Sequence, residues 1–315
     1  MLDMQLYNLS RAGLFLGLLL IAFLCFPMGT AAAVPAFSYS LPQQGQDTET
    51  DRFRTVVGIP EVHTTQSGDT LLDVAREYGL GYLELRRLYP DLDPWLPPSG
   101  QELTLPLQWV LPPKGEADIV INLPELRLYH FSSQNGISLV RSYPVGIGDK
   151  HSQSPLGEFP VGVKREDPYW YIPQSLQDKY EAQVMDPGPK NPLGKYWIGL
   201  GNSSYGLHGT NNPWSVGRLA TNGCIRLYPE HIQPLYQDVS PGEKVQLIYE
   251  PVKLGVLLGR IYVEAHPDIY EQLEDYLDFA YRKLLDSGYS RQVDLKKFRR
   301  VLQERNGLPV DVSLE

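Results

Sequence analysis

The stretch from His208 to Leu227, which reads HGTNNPWSVGRLATNGCIRL, restricts the possible folds of this chain more than any other part. It places a histidine ahead of Cys224, with a separation that suits two neighbouring strands or loops joined by a connection. In that arrangement the two side chains can face each other. Papain-like peptidases carry their cysteine before their histidine, so the order found here disfavours that fold.

Cys224 is a candidate nucleophile. A thiol becomes a strong nucleophile only as the thiolate, and a nearby imidazole is a common way to form one. The chain has two cysteines, and the other one, Cys25, lies in an apolar stretch near the N-terminus. A disulfide framework is therefore not expected, and an unpaired cysteine in an exported protein needs a chemical reason. The alternative is a buried, inert cysteine, which is what most free cysteines are.

Residues 1–33 read as a signal peptide, which indicates export. Arg11 precedes the apolar run Ala12–Phe26, and Ala31–Ala33 offers the small residues that a cleavage site needs. The alternative is an uncleaved membrane anchor. The apolar run is short for a membrane span and is closed by Pro27, which favours cleavage.

A linker and a small module follow. Residues 34–60 are rich in Pro, Gln, Thr and Asp with little periodicity, so we interpret them as a linker. In residues 61–107 the pattern predicts strand, helix, helix and strand. Asp69 is predicted to cap the first helix, the second helix is predicted near residues 82–88, and Glu102–Leu105 is predicted as the closing strand.

Residues 117–249 are predicted to be mainly β-structure. Strands are predicted at 118–122, 127–131, 137–145 and 244–249, and short helices at 174–180 and 229–236. Because short turns separate the early strands, we expect a sandwich or barrel with small helices.

Residues 250–315 change to a helical pattern. A last strand is predicted at Arg260–Glu264, followed by a helix at Asp268–Leu285 with one apolar face. Asp294 is predicted to cap a second helix. We expect this tail to pack on the preceding domain, and the whole chain to be a multidomain α+β protein.

The central stretch resembles the signature of the L,D-transpeptidase (YkuD) family. That signature runs His, a spacer, then Ser/Thr-His-Gly-Cys-hydrophobic-Arg. The corresponding positions here are His208, Thr221, Asn222, Gly223, Cys224, Ile225 and Arg226. Asn222 departs from the family pattern, because it stands where the family has a second histidine.

Further segments carry the same resemblance. Ser154–Phe159, Pro187–Gly194 and Trp197-Ile198 are similar to the family, so the likeness covers about residues 117–249. It is closest to the periplasmic branch with an N-terminal LysM module, and Gly68–Leu71 is the typical LysM motif here. The resemblance implies a small βααβ LysM module, a mainly-β YkuD-type catalytic sandwich and a C-terminal helical extension.

The residue chemistry suits acyl transfer. Cys224 would attack a peptide carbonyl and form a thioester, and His208 would take the thiol proton. Gly223 would allow a tight turn whose backbone N–H groups hold the oxyanion. Arg226 would either bind a substrate carboxylate or fix the loop through backbone carbonyls.

Four weaker site candidates accompany these residues. Thr221 is expected to form hydrogen bonds within the loop. Asn222 can donate and accept hydrogen bonds but cannot shuttle protons near neutral pH. Tyr169 and Trp170 would line the acyl-donor cleft, or would alternate between strand faces in a core.

The resemblance implies a concrete reaction. Such enzymes cleave the bond after the L-centre of meso-diaminopimelate in a peptidoglycan tetrapeptide stem and release D-alanine. Transfer to a second diaminopimelate gives a 3–3 crosslink, and transfer to an envelope lipoprotein gives a covalent anchor. The alternatives are a hydrolase of stems or peptidoglycan–protein links and a catalytically inactive peptidoglycan-binding protein, which only Asn222 supports.

The remaining partners are constrained by composition. With a formal charge of −9 and no cluster of Lys and Arg, the chain shows no sign of nucleic-acid binding. No cofactor is expected, since a thiolate, a base and an oxyanion hole complete the chemistry. No metal site is expected, because the other histidines lack ligand spacing. Periplasmic localisation is expected, with membrane contact only through an uncleaved signal segment.

Overall fold

A nine-stranded mixed sheet organises the fold around the strand Ile119–Asn122, all four residues of which are buried. Burial on both faces explains why this strand reads as an apolar run without alternation. The structure is a computed structural model that describes residues 37–41 and 55–315. The predicted signal peptide, Cys25 and most of the predicted linker lie outside the described residues. The linker prediction is wrong for the described parts of 34–60, because Phe37–Ser40 and Val56–Gly58 are strands and Val56 and Val57 are buried.

The secondary-structure elements are numbered in chain order. The strands are β1 Phe37–Ser40, β2 Val56–Gly58, β3 Glu61–Thr64, β4 Glu102–Leu105, β5 Gln108–Val110, β6 Ile119–Asn122, β7 Arg127–Gln134, β8 Ile137–Pro144, β9 Ile147–Gly148, β10 Gly157–Glu166, β11 Trp170–Tyr171, β12 Val184–Met185, β13 Tyr196–Leu200, β14 Gly206–His208, β15 Leu219–Thr221, β16 Ile225–Arg226, β17 Lys244–Ile248, β18 Val252–Leu257, β19 Arg260–Ala265 and β20 Val310–Asp311. The helices are α1 Leu71–Glu77, α2 Tyr82–Leu88, α3 Gln174–Tyr180, α4 Pro229–Asp238, α5 Tyr276–Asp286 and α6 Leu295–Glu304, with a 3-10 turn at Pro213–Ser215.

The large sheet has the strand order β1-β8-β7-β6-β17-β10-β13-β14-β16. Most neighbours are antiparallel, but β17 runs parallel to β6 and β16 runs parallel to β14. A two-residue turn at Asn135-Gly136 joins β7 to β8, and both residues have positive φ, as a tight hairpin turn of this kind needs. The mainly-β character predicted for residues 117–249 is confirmed.

One face of the large sheet packs against α4 and forms the main core. Its members include buried apolar side chains from α4 and from strands and turns that lie far apart in sequence: Ile119, Ile121, Leu128, Val145, Ile198, Leu207, Ile225, Ile232, Leu235 and Leu247. Because Leu207 of β14 and Ile225 of β16 belong to this core, burial fixes the two strands that border the predicted catalytic residues.

The segment 61–107 contains β3, α1, α2 and β4, and β3 pairs antiparallel with β4. Its apolar residues share a second core with the other face of the large sheet, including Val74, Leu80, Leu85, Trp109, Val120 and Tyr129. The cap of α1 is Thr70, not Asp69 as predicted. Asp69 instead accepts a hydrogen bond from the backbone N–H of Gln66 at 2.7 Å, which commits its carboxylate to the preceding turn.

The C-terminal part contains more strand than predicted. A three-stranded sheet, β18-β19-β20, stands where one strand was predicted. The helix predicted from Asp268 begins only at Tyr276, because Asp268 accepts hydrogen bonds from the backbone of Gln272 and Leu273 and so closes a loop. Asp294 caps α6 as predicted.

Within the described residues, no helix is both long enough and apolar enough to cross a membrane.

Candidate active site

The neighbouring parallel strands β14 and β16 bring the two ends of the central stretch together. Leu207 pairs with Ile225 and His208 pairs with Arg226 across these strands. His208 ends β14, and Cys224 immediately precedes β16. The expectation of two neighbouring strands joined by a connection is therefore confirmed.

A cavity of about 530 Å³ opens beside this strand pair. Seven of the eight predicted site residues line it: Tyr169, Trp170, His208, Thr221, Asn222, Cys224 and Arg226. Gly223 is buried in the turn behind the wall. Tyr169 is about half exposed, so its side chain belongs to the cavity and not to a core.

Gly223 forms the tight turn that its position predicts. Its φ is +100°, and a Cβ atom there would lie 2.4 Å from Cε1 of Tyr205. Thr221 holds this turn from within, because its hydroxyl donates to the carbonyl of Cys224 at 2.6 Å and accepts from the N–H of Gly223 at 3.2 Å. The N–H of Gly223 is therefore already engaged, whereas the hydrogen bonds of the described residues include no acceptor for the N–H of Cys224.

His208 is buried and held in one orientation. Its Nδ1 lies 2.6 Å from the carbonyl oxygen of Gly209, so the tautomer with hydrogen on Nδ1 leaves Nε2 as an acceptor. The indole of Trp197 stacks on the imidazole, with 5.9 Å between ring centres.

Burial keeps His208 neutral. Loss of hydration lowers the pKa of His208 to about 3, and the charge of Arg226 acts in the same direction. Hydrogen bonds with backbone carbonyls of Gly209 and Leu193 oppose the shift without cancelling it. At neutral pH the imidazole is therefore the free base, the form that can accept a proton.

Burial also keeps Cys224 protonated. Loss of hydration raises the pKa of the Cys224 thiol, while a backbone hydrogen bond with Gly206 and the charge of Arg226 act against the rise. The resting pair is therefore a neutral thiol and a neutral imidazole.

Arg226 contacts the connection between the two strands. Its Nη1 donates to the hydroxyl of Ser215 at 2.8 Å, and its Nε is buried without a hydrogen-bond partner. Because the side chain also lines the cavity, both predicted roles of Arg226, loop fixation and carboxylate binding, stay compatible with its position.

A segment from Pro168 to Leu193 forms another part of the cavity wall and contains β11, α3 and β12. Buried Asn191 ties its two ends together, because its amide donates to the carbonyl of Pro168 at 2.9 Å and accepts from the N–H of Leu193 at 2.9 Å. Asn191 was not among the residues predicted from the sequence, although its place in the family-like segment Pro187–Gly194 was an available signal.

The module carrying α1 and α2 rests on the connection between His208 and Cys224. The α-carbons of Gly81 and Gly217 come so close that a Cβ on Gly217 would lie 2.4 Å from the Cα of Gly81. Arg76 pairs with Glu230 at 2.7 Å, and its guanidinium also lies over the ring of Trp214. The module therefore touches the same connection that Arg226 contacts.

One group in the described part of the chain has the composition of a metal site. Ligand atoms of Glu125, Glu264 and His266 lie within 4.8 Å of one another, away from the cavity. The ammonium of Lys253 contacts Glu125 at 2.8 Å and Glu264 at 3.0 Å, so these carboxylates already have a cation between them.

The chain is similar in sequence to a known catalytic domain and to several known proteins. Residues 116–247 match the L,D-transpeptidase catalytic domain, YkuD. The chain is 33% identical over 315 residues to the probable L,D-transpeptidase YcfS of Escherichia coli K12, an alignment that covers 93% of this chain and 94% of the relative. It is 31% identical over 307 residues to the probable L,D-transpeptidase ErfK/SrfK of the same organism, covering 92% and 94%. The solved catalytic domain of an E. faecium L,D-transpeptidase is similar over 43% of this chain and 98% of that chain, with 19% identity and a TM-score of 0.33.

Proposed function

Because this chain belongs to the L,D-transpeptidase family, we propose that it transfers peptidoglycan stem peptides through a thioester on Cys224. The observation that carries the proposal is the pairing of a neutral, oriented His208 with Cys224 in one cavity. The acyl donor is a tetrapeptide stem, cleaved after the L-centre of meso-diaminopimelate.

The first half-reaction consumes the donor. As Sγ of Cys224 attacks the carbonyl carbon, Nε2 of His208 takes the thiol proton. The C–N bond to D-alanine then breaks, and the proton passes from His208 to the departing amine. A thioester remains on Cys224. Because the resting pair is neutral, proton transfer accompanies attack and does not precede it.

The backbone N–H of Cys224 is the proposed oxyanion donor. The N–H of Gly223, which sequence reasoning included, donates instead to Thr221 and shapes the turn. In this division of roles the hydroxyl of Thr221 holds the turn, and the N–H of Cys224 is left to stabilise the developing negative charge.

The second half-reaction transfers the acyl group to an amine. His208 takes a proton from the acceptor amine as the amine attacks the thioester, and the thiolate of Cys224 leaves and is reprotonated. A second diaminopimelate as acceptor gives a 3–3 crosslink, and an amine of an envelope lipoprotein gives a covalent anchor. No step requires Asn222 to titrate, and its exposed amide is suited to hydrogen bonding with substrate.

Segment 61–107 is proposed to bind peptidoglycan glycan as a LysM module. Its strand-helix-helix-strand order and the motif Gly68–Leu71 support this. Trp95 is 61% exposed and Leu96 is 75% exposed on the loop before β4, a surface suited to contact with sugar rings. With the predicted signal peptide, this proposal implies a periplasmic protein.

Mass spectrometry of residues 34–315 tests the function. The intact protein would be incubated with a carbapenem and, separately, with disaccharide-tetrapeptide stems. We expect a drug adduct that is missing in Cys224→Ala, loss of D-alanine from the stems, and a 3–3 dimer.

Two other outcomes of this experiment would indicate a different function. Loss of D-alanine without a dimer would point to a protein acceptor or to water, that is, to anchoring or hydrolysis. A folded, reduced protein that forms no adduct and shows no turnover would reject the enzyme in favour of a binding protein.

A further inference from the structure

Four cavity residues stand side by side across the large sheet. Arg165 of β10 pairs with Trp197 of β13, Trp197 pairs with His208 of β14, and His208 pairs with Arg226 of β16. All four line the same cavity. Since neighbouring strands lie about 4.8 Å apart, the Cα of Arg226 is roughly 5 Å from that of the base and the Cα of Arg165 roughly 10 Å from it, on opposite sides.

The charge of this cavity is opposite to that of the chain. The chain carries a formal charge of −9, yet the residues that line the cavity include no aspartate or glutamate. With His208 neutral, the fixed charges among the lining residues are the guanidinium groups of Arg165 and Arg226. A cavity with this lining favours a ligand that carries carboxylates.

Arg165 has no ionic partner within the described part of the chain. Its side chain is exposed at the cavity, whereas the adjacent Glu166 is paired with Lys195 at 3.2 Å and is not available to it. Arg226, in contrast, already uses Nη1 on Ser215. Arg165 is therefore the cavity cation that is free to bind a ligand with its whole guanidinium.

We propose that Arg165 binds a free carboxylate of the acyl-donor stem and thereby sets donor specificity. The inference rests on the proposed function. The carboxylate of the leaving D-alanine is one residue beyond the scissile carbonyl, about 3.5 Å from it along the chain. At that distance it would bind Arg226, the nearer of the two arginines. The stem has two further carboxylates, on its D-glutamate and at the D-centre of diaminopimelate, and both lie farther from the scissile carbonyl, as Arg165 does from His208.

Binding and turnover of defined donors test this assignment. Three donors would be compared: the native stem, a stem amidated at D-glutamate, and a stem amidated at the D-centre. Arg165→Gln is compared with Arg165→Lys and with Arg291→Gln, which removes the same charge from an exposed site outside the cavity. Dissociation constants would be measured in the Cys224→Ala background, so that binding is observed without chemistry.

For the native stem, we expect Arg165→Gln to weaken binding by about tenfold or more and to raise KM similarly, with kcat little changed. Wild type should bind one of the two amidated donors more weakly than the native stem, by the same factor. Arg165→Gln should bind that donor and the native stem with equal affinity. The amidated donor that wild type binds more weakly identifies the carboxylate that Arg165 contacts. Arg165→Lys should bind with intermediate strength, because lysine lacks the planar fork.

Unchanged binding in Arg165→Gln, or equal weakening in Arg291→Gln, would overturn the assignment. So would wild-type indifference to both amidations. Failure of the proposed function has a different signature, namely no release of D-alanine by wild type from any donor. The binding measurements would still decide the role of Arg165 in that case.

Discussion

At the scale of single residues, the proposed active site consists of a neutral thiol and a neutral imidazole that the backbone holds in place. The carbonyl of Gly209 orients His208, and the turn at Gly223 orients Cys224. Both pKa shifts follow from burial, which penalises thiolate and imidazolium alike. Burial therefore favours proton transfer during attack over a preformed ion pair.

This state predicts the pH dependence of Cys224 alkylation by iodoacetamide in residues 34–315. Because the thiol pKa is raised, the thiolate fraction should increase through pH 8 without a plateau between pH 5 and pH 8. The denatured protein, with an ordinary thiol pKa, should react faster at pH 7. A plateau below pH 7 that disappears in His208→Ala would reveal an ion pair and contradict the prediction.

Gly223→Ala should abolish stem turnover without unfolding the protein. The substitution combines strain at positive φ, about 1–3 kcal/mol, with a clash against the ring of Tyr205. Gly242→Ala is the matched control, because Gly242 has φ +94° and nothing lies within 4 Å of the added Cβ. Thermal unfolding and D-alanine release would be measured for both. Equal activity in the two variants would show that the turn does not position Cys224.

The proposed catalytic residues His208 and Cys224 could be named from sequence because they lie in one continuous motif. Arg165 could not, because it is brought to His208 only by the pairing of β10, β13 and β14. The engagement of the Gly223 N–H was also hidden, since the sequence does not say where the hydroxyl of Thr221 points. A motif thus indicates candidate side chains, whereas the strand register decides which other side chains lie beside them.

At the scale of elements, the C-terminal part of the chain supports residues 221–224, the nucleophile loop, which carries the proposed nucleophile Cys224. The hydroxyl of Tyr270 donates to the carbonyl of Gly148 at 2.7 Å. Gly148 belongs to β9, which pairs in parallel with β15, the strand that ends at Thr221. Contacts therefore connect the C-terminal part of the chain, through β9, to Thr221, which holds the turn at Gly223.

Tyr270→Phe should lower kcat by about threefold to tenfold and leave KM nearly unchanged. The lost hydrogen bond is worth about 1 kcal/mol and acts on the nucleophile loop. Tyr262→Phe, which removes a hydroxyl from β19 within the same extension, is the control. Steady-state release of D-alanine separates kcat from KM. A rise in KM alone would mean that Tyr270 affects the cleft and not the loop.

Element boundaries were predictable where one residue could serve as the cap. Asp294 stands alone before α6 and was identified correctly. Asp268 and Asp275 both precede apolar residues, and only the loop hydrogen bonds of Asp268 decide that α5 starts later. The same ambiguity affects α1, because Asp69 and Thr70 both have side chains that can cap a helix. Local signals therefore find the helices but leave their first turns undecided.

At the scale of the whole molecule, the described residues 37–41 and 55–315 belong to one compact unit. The segment 61–107 shares a core with the large sheet, and buried Lys253 of β18 joins Glu125 and Glu264 at the other end. Buried pairs of this kind cost heavily when one partner is removed. The parts distinguished by sequence are therefore expected to unfold together.

Calorimetry of residues 34–315 should accordingly show a single unfolding transition. Gly217→Ala should split it or shift it downward, because the new Cβ would collide with the backbone of Gly81. Gly115→Ala is the control, since Gly115 also has positive φ but an open surrounding. Two transitions in the unmodified protein would mean that the contact at Gly217 does not couple the parts.

The docking of the module on the connection between His208 and Cys224 also bears on how such proteins can be recombined. A glycan-binding unit on a flexible tether could be exchanged between relatives as a cassette. Here an exchange would also replace Gly81, which contacts Gly217 in the connection ahead of Cys224, and Arg76, which pairs with Glu230 of α4. Chimaeras should therefore retain activity only when the module and the connection between His208 and Cys224 come from the same protein.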